Sequence, residues 1–274
     1  MTRPVRHSVS RIARRDGTVA SGRRLVPEEV PVAFSFNGAT HAVMMASPGD
    51  LEDFAVGFAI TEGIIRSSED IDDMTIEDHA EGIDIQIVLK EKANADFEAR
   101  RRRMAGPVGC GLCGIESIEE ALRPIAKIGD GGLRFDAADI ASAARLLSSH
   151  QPLNAETHAV HAAGFYVPGK GVIAVREDVG RHNALDKLAG VLARQGVDGR
   201  MGAIVITSRV SVEMVQKTAA IGASILLAVS APTALAIRTA EAAGMTLVAL
   251  VRGDDFEIFT HPDRIRTGAA AHVA

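Results

Sequence analysis

A chain of 274 residues, 47% of them hydrophobic, can bury one large core or two moderate ones, and its length favours two domains. A formal charge of −5 argues against a general nucleic-acid binder, and two cysteines exclude a disulfide framework and fit a reducing cytoplasm. The most apolar window, Ile221 to Ile237, is shorter than a bilayer span and carries Ser224, Ser230 and Pro232, and no apolar run follows the Arg-rich opening, so neither a membrane segment nor a secretory signal is expected.

Residues 1–17 are polar and basic with nothing to bury and read as a flexible arm. A strand-rich N-terminal α+β domain is expected over 18–128. Its hairpin runs from Val30 to Ser47 around the turn pair Asn37-Gly38. Asp50 stands where it would cap a helix from Leu51 to Glu62 that Gly63 ends. Alternation of apolar and polar residues marks strands at Ile71–Ile76 and Ile83–Leu89. A charged helix over Asn94–Met104 follows, and its Arg100-Arg101-Arg102-Arg103 is a solvated face or a guide for an anionic partner.

The next stretch, Gly106-Pro107-Val108-Gly109-Cys110-Gly111-Leu112-Cys113-Gly114, holds both cysteines. Four glycines and a proline are costly inside helix or strand, so this segment is read as a loop. A thiol just before a helix start feels the helix's positive end, which raises its thiolate fraction. Sulfur chemistry, redox exchange and zinc binding are all open to such a pair, against the bland alternative of two inert thiols.

Gly129-Asp130-Gly131-Gly132 reads as a linker, and a C-terminal α/β domain is expected over 129–274. A capped helix (Asp136–Leu147) precedes antiparallel strands at Gly164–Val167 and Val172–Arg176. Helix Asn183–Arg194, strand Ala203–Thr207, helix Val212–Gly222, strand Ile225–Val229, helix Pro232–Ala243 and strand Thr246–Val251 then alternate. Buried strands alternating with helices predict a parallel sheet with helices packed on it. A last strand, Phe256–Thr260, belongs at an edge.

In such a sheet the strand-to-helix turns lie at the carboxyl edge, where ligands bind. Glu177–Asn183, Thr207–Ser211 and Ser230–Thr233 are three such turns. Helix N-termini attract anions, Pro232 suits a first helical position, and Arg181 and Arg209 can bind phosphate bidentately. The plain alternative is that Ser211 and Ser230 cap helices and the arginines pair with surface acids. His182 and Lys187 are within sequence reach of the same place.

Gly109–Gly114 matches GxGxxG formally, but no apolar strand precedes it. His158-Ala159-Val160-His161 is a weak metal pair. His79-Ala80-Glu81 followed by Cys110 and Cys113 imitates the zinc deaminases, in which one His and two Cys hold zinc and a Glu moves protons. A zinc-dependent deaminase-like enzyme is therefore an alternative, as is a non-catalytic cofactor chaperone.

The Gly106–Gly114 loop, Glu177–Lys187, Ser208-Arg209 with Glu213–Lys217, Ser230-Ala231-Pro232-Thr233 and Thr260-His261-Pro262 together resemble, over most of the chain, the formate dehydrogenase accessory sulfurtransferases of the FdhD family. The resemblance implies an α/β protein whose C-terminal domain is similar to the cytidine deaminase fold without its zinc, acting as a cytoplasmic homodimer with no permanent metal. It implies a sulfurtransferase that takes sulfur from a cysteine desulfurase as a persulfide on Cys110 and transfers it to the molybdenum bis(molybdopterin guanine dinucleotide) cofactor, or its tungsten counterpart, for the client formate dehydrogenase. Cys113 would shield or resolve the persulfide. The guanine dinucleotides would be held by Gly180, Arg181, His182, Ser208, Arg209, Ser230 and Thr233, and by the segment Leu250-Val251-Arg252-Gly253-Asp254-Asp255. Asp254 and Asp255 stand where the family would bring a glycine and a basic residue, and His158 and Ala159 replace glycines expected before His161. Two carboxylates beside a polyanion are unfavourable, so they point away or the loop offers backbone alone.

Overall fold

The computed structural model describes residues 3–104, 125, 127–129 and 132–268. Cys110 and Cys113 lie outside the described residues, as does the rest of their loop. The chain opens not with a loose arm but with a two-stranded antiparallel ribbon, β1 (Arg6–Arg15) and β2 (Thr18–Pro27), paired from Arg6↔Pro27 to Arg15↔Thr18. The apolar-polar signal of a half-buried strand is missing here because nearly every ribbon residue faces solvent on both sides.

A four-stranded sheet follows, made of β3 (Val30–Phe36), β4 (Ala39–Ala46), β5 (Ile71–His79) and β6 (Gly82–Leu89) in the order β4-β3-β6-β5. The predicted hairpin turn forms at Asn37-Gly38, both residues at positive φ (48° and 82°). Helix α1 (Leu51–Thr61) covers one face, where Phe34 stacks on Phe58 at 4.3 Å and meets Phe54 edge-on at 4.9 Å. Asp50 does sit at the N-cap of α1, but its backbone is left-handed and its side chain caps nothing. Helix α2 (Glu91–Met104) adds Ala93 and Phe97 to this core.

The larger sheet has six strands in the order β13-β12-β11-β10-β8-β9, with β8 (His161–Val167), β9 (Gly171–Asp178), β10 (Ala203–Ile206), β11 (Ile225–Ala228), β12 (Thr246–Arg252) and β13 (Asp255–Thr260). It is mixed rather than parallel. Only β10-β11-β12 form the parallel centre, while β8 runs against β10 and β13 against β12. Because β9 is antiparallel to β8, it points the same way as β10. The expectation of one common carboxyl edge therefore survives the change of sheet type.

Helices α5 (Arg181–Arg194), α6 (Val212–Ile221) and α7 (Ala234–Ala243) pack on one face through Leu185, Leu188, Met214, Val215 and Ala240. Helix α3 (Ala137–Ser149) covers the other face with Ile140, Ala143 and Leu147, assisted by the short parallel pair β7 (Phe135–Asp136) and β14 (Ile265–Arg266). The reciprocal capping box of Asp136 and Asp139 starts α3 as the sequence indicates. A one-and-a-half-turn helix, α4 (Pro152–Thr157), leads into β8.

Helix α1 is buried twice, against its own sheet and against α5. A Cβ on Gly57 would lie 1.7 Å from the Asp186 carbonyl oxygen, and one on Gly190 would lie 1.8 Å from that of Asp53. The two backbones touch at these glycines, and no other residue fits there.

Candidate functional site

Four connections meet at the carboxyl edge of the six-stranded sheet. Strand spacing of about 4.8 Å makes the row from β12 to β9 about 19 Å long, room for an extended ligand. The turns are joined to one another. Val210 bridges Pro232, with Val210 N–H donating to Ala231 O (3.2 Å) and Thr233 N–H to Val210 O (3.0 Å), and Leu250 N–H reaches Ser230 O at 3.4 Å.

Helix starts at this edge differ from expectation in detail. Pro232 is not the first residue of α7; it is held by the bridge to Val210, and the helix begins two residues later. Thr233 is its N-cap, accepting from Ala236 N–H at 3.2 Å, a role Ser230 does not take. Ser211 stands at the N-cap of α6 without capping it, because its hydroxyl donates to Glu213 Oε2 at 2.6 Å. Ser208 is buried with its hydroxyl turned to Arg209 O, and Arg209 itself is exposed.

At the β9–α5 turn, Asp178 is fully buried and organises the backbone. One oxygen accepts from Gly180 N–H (2.7 Å) and Asn183 Nδ2 (2.9 Å), the other from Lys187 Nζ (2.6 Å) and Ser47 N–H (3.0 Å). Gly180 cannot carry a Cβ, which would fall 2.6 Å from Asn183 Nδ2. Lys187 does not reach the edge as its position had suggested. It is buried, held by Asp178 and by Ser47 O at 2.9 Å. A second buried lysine, Lys217, pairs with Asp186 (2.8 Å) and Glu62 (2.8 Å) at the end of α1. Burial works against its charge, yet those two carboxylates hold its pKa above the usual value.

What does face the edge is Arg181-His182 with Ser211, Glu213 and His161. His182 Nε2 is buried, has no hydrogen-bond partner and lies 3.6 Å from Glu213 Oε2; Arg181 Nε is likewise buried and unpartnered. Burial, then the neighbouring Arg181 charge, hold the His182 pKa down to about 4 against the opposing pull of Glu213, so the imidazole is neutral at pH 7. His161 is lowered too, by burial and Arg181, with Asp178 opposing. For Glu213 burial pushes upward, but the Ser211 hydrogen bond and the charges of His182 and Arg181 hold its carboxyl below the ordinary range. Two neutral imidazoles and a guanidinium with a spare donor suit an acceptor-rich ligand.

The 250–255 segment lies at the same edge as a bulged hairpin turn, with Leu250 and Gly253 at positive φ (57° and 61°). Val251 is buried in the core, so only its backbone is available there, whereas Arg252, Asp254 and Asp255 are exposed. His161 was legible only as half of a metal pair with His158. The structure parts the two, placing His158 in a left-handed, exposed C-cap of α4 and His161 in β8. Its link to Arg181 comes from pairing of β8 with β9, which spacing in sequence does not show. His79 is exposed at the end of β5, 3.4 Å from Glu77, and no group of three or more metal-ligating side chains is found among the described residues. An open depression of about 1030 Å³ lies elsewhere, lined by Arg3, Val5, Asp50, Asp53, Ile76 and Arg194. Its arginines are already paired, Arg3 with Asp78 and Arg194 with Asp53, which leaves little there to hold a ligand.

Fold and edge define a mixed α/β protein with a cationic, helix-lined carboxyl edge. The FdhD/NarQ family model matches residues 27–266. The chain is 59% identical over 257 residues to the sulfur carrier protein FdhD of Agrobacterium fabrum, covering 94% of this chain and 95% of that one. It is 56% identical over 261 residues to the protein of that name from Brucella abortus, covering 95% and 97%. The crystal structure of a protein assigned as a formate dehydrogenase accessory protein from Desulfotalea psychrophila is similar with a TM-score of 0.77 at 28% identity, covering 96% of this chain and all of the other. The chain belongs to the FdhD/NarQ family.

Proposed function

We propose that this protein is a cytoplasmic sulfur carrier that serves the maturation of formate dehydrogenase. The observation that carries the reading is 59% identity to a sulfur carrier protein FdhD along nearly the whole of both chains. The Cys110 thiolate attacks the outer sulfur of a persulfide on a cysteine desulfurase. The donor's S–S bond breaks, the donor leaves as a thiolate, and the sulfur stays on Cys110 as a persulfide without net oxidation. Its destination is the molybdenum centre of a bis(molybdopterin guanine dinucleotide) substrate. The pyrophosphates of that substrate find donors in Arg181, Arg209 and the backbone at the starts of α5, α6 and α7, with Gly180, His182, Ser208, Ser230, Thr233 and the 250–255 turn beside them.

The test is mass spectrometry of the Cys110 peptide after incubation with a cysteine desulfurase and cysteine. A gain of one sulfur, absent in Cys110→Ala, is expected, together with loss of formate dehydrogenase maturation in that variant. An unmodified peptide with maturation intact would reduce the protein to a chaperone for the substrate. The same comparison with Cys113→Ala assigns the second thiol.

A further inference from the structure

An edge that gathers anions has no evident use for a carboxylate, yet one stands among its donors. Glu213 lies in the first turn of α6, its Oε2 accepting from the Ser211 hydroxyl at 2.6 Å and lying 3.6 Å from His182 Nε2. The side chain is 35% exposed, so it is open to the edge and not closed into the core. Burial pushes its pKa up, but the Ser211 hydrogen bond and its own backbone N–H, with the Arg181 charge behind them, prevail, and the carboxyl is ionised at pH 7. Beside a bound phosphate that charge is repulsive.

The other carboxylates of the edge turns are accounted for. Glu177 accepts from Leu153 N–H (2.9 Å) and Asn154 N–H (2.8 Å) in α4. Asp178 is fully buried and accepts from Gly180, Asn183, Lys187 and Ser47. Asp254 and Asp255 are exposed, where water and salt screen them. Glu213 is ionised, fixed by Ser211 and still able to accept: a carboxylate has about four acceptor sites, of which the Ser211 hydroxyl and the Glu213 backbone take two.

A ligand that brings a pair of N–H donors along with its phosphates removes the conflict. Guanine presents N1–H and its 2-amino group side by side, whereas adenine turns an acceptor, N1, toward the same position. We infer that Glu213 reads the guanine base, accepting from N1–H and the 2-amino group, while Arg181 and Arg209 hold the phosphates. This rests on the guanine dinucleotide substrate proposed above and assigns the residue that tells it from an adenine counterpart. The plain alternative is that Glu213 only offsets the positive end of α6, a role that draws no distinction between bases.

Calorimetry on the full chain with GDP, IDP, ADP and inorganic pyrophosphate tests it. The unaltered protein is expected to bind GDP about tenfold tighter than IDP, which lacks only the 2-amino group, and about a hundredfold tighter than ADP. Glu213→Gln keeps the size and one acceptor but adds a donor, and a carboxamide matches adenine better than guanine. The variant should lose about tenfold or more for GDP, while ADP and pyrophosphate bind as well as before or tighter because a repulsive charge is gone. Misfolding cannot produce those opposite signs. Equal losses for all four ligands, GDP binding untouched in the variant, or an unaltered chain without preference for GDP would each overturn the inference and leave the sulfur carrier standing. No GDP binding by the unaltered chain would overturn the guanine dinucleotide substrate as well. Failure of the sulfur-carrier reading shows separately, as a Cys110 peptide that gains no sulfur.

Discussion

The segment from Glu177 to Lys187 contains two regions that look alike in sequence and do opposite things in the fold. Asp178, Asn183, Asp186 and Lys187 face the seam between α1 and α5, and each is buried with its hydrogen-bond partners. Arg181 and His182, inside the same run, face the carboxyl edge with a buried nitrogen each left unanswered. Satisfied buried charge is machinery of the fold, whereas unsatisfied donors at an edge are offered to a ligand. Substitutions in the seam should therefore change stability, and substitutions at the edge should change binding.

The largest effect expected is from Lys187→Ala. It leaves Asp178 a buried carboxylate without its counter-charge, which costs about 3–5 kcal/mol. Urea unfolding should show a lowered midpoint with an unchanged slope. A loss near zero would mean that Gly180 and Asn183 suffice to hold Asp178. Next comes Gly57→Ala, whose methyl cannot fit 1.7 Å from the Asp186 carbonyl and must push the helices apart, for a loss of about 2–3 kcal/mol in the same measurement.

These two seam predictions also show what could be read from the sequence. The strands of the larger sheet were legible because runs such as Ala203–Ile206 and Ile225–Ala228 are apolar throughout and bounded by turn residues. The edge turns were legible because strand direction follows from the alternation of elements. Lys187 was not, since its partners are nine residues back at Asp178 and far away at Ser47, and a lysine near a glycine turn reads as exposed. The ribbon was missed for the complementary reason, that a strand exposed on both faces has no hydrophobic period. Cys110 and Cys113 remain a reading of sequence and family.

At the edge the order of effects reverses. Arg181→Ala should leave the unfolding free energy from urea titration within about 0.5 kcal/mol of the original. It should weaken guanine nucleotide binding by about tenfold or more in calorimetry, as loss of a charged hydrogen bond to phosphate requires. Arg209→Ala, from an exposed side chain, should weaken binding less. Unchanged affinity in both would remove phosphate from the edge.

A pH-dependent effect lies where the two regions overlap, at His182. Its folded pKa of about 4 is below the ordinary histidine value of 6.5, so between those two pH values the unfolded chain binds the extra proton. Stability contributed by this group is intact above pH 6.5 and falls as pH drops toward 4, by about 2 kcal/mol once partial solvent exposure is allowed for. His182→Gln keeps a polar side chain but cannot titrate. Its unfolding midpoint should therefore fall less steeply between pH 6.5 and 4 than that of the unaltered protein, while the two slopes coincide above pH 7. Equal slopes throughout would mean that folding leaves His182 with its ordinary pKa, so that below pH 6.5 it is charged in the folded protein. The edge would then carry a second cation beside Arg181, and its preference would shift from acceptor-rich groups in general to fully ionised phosphates.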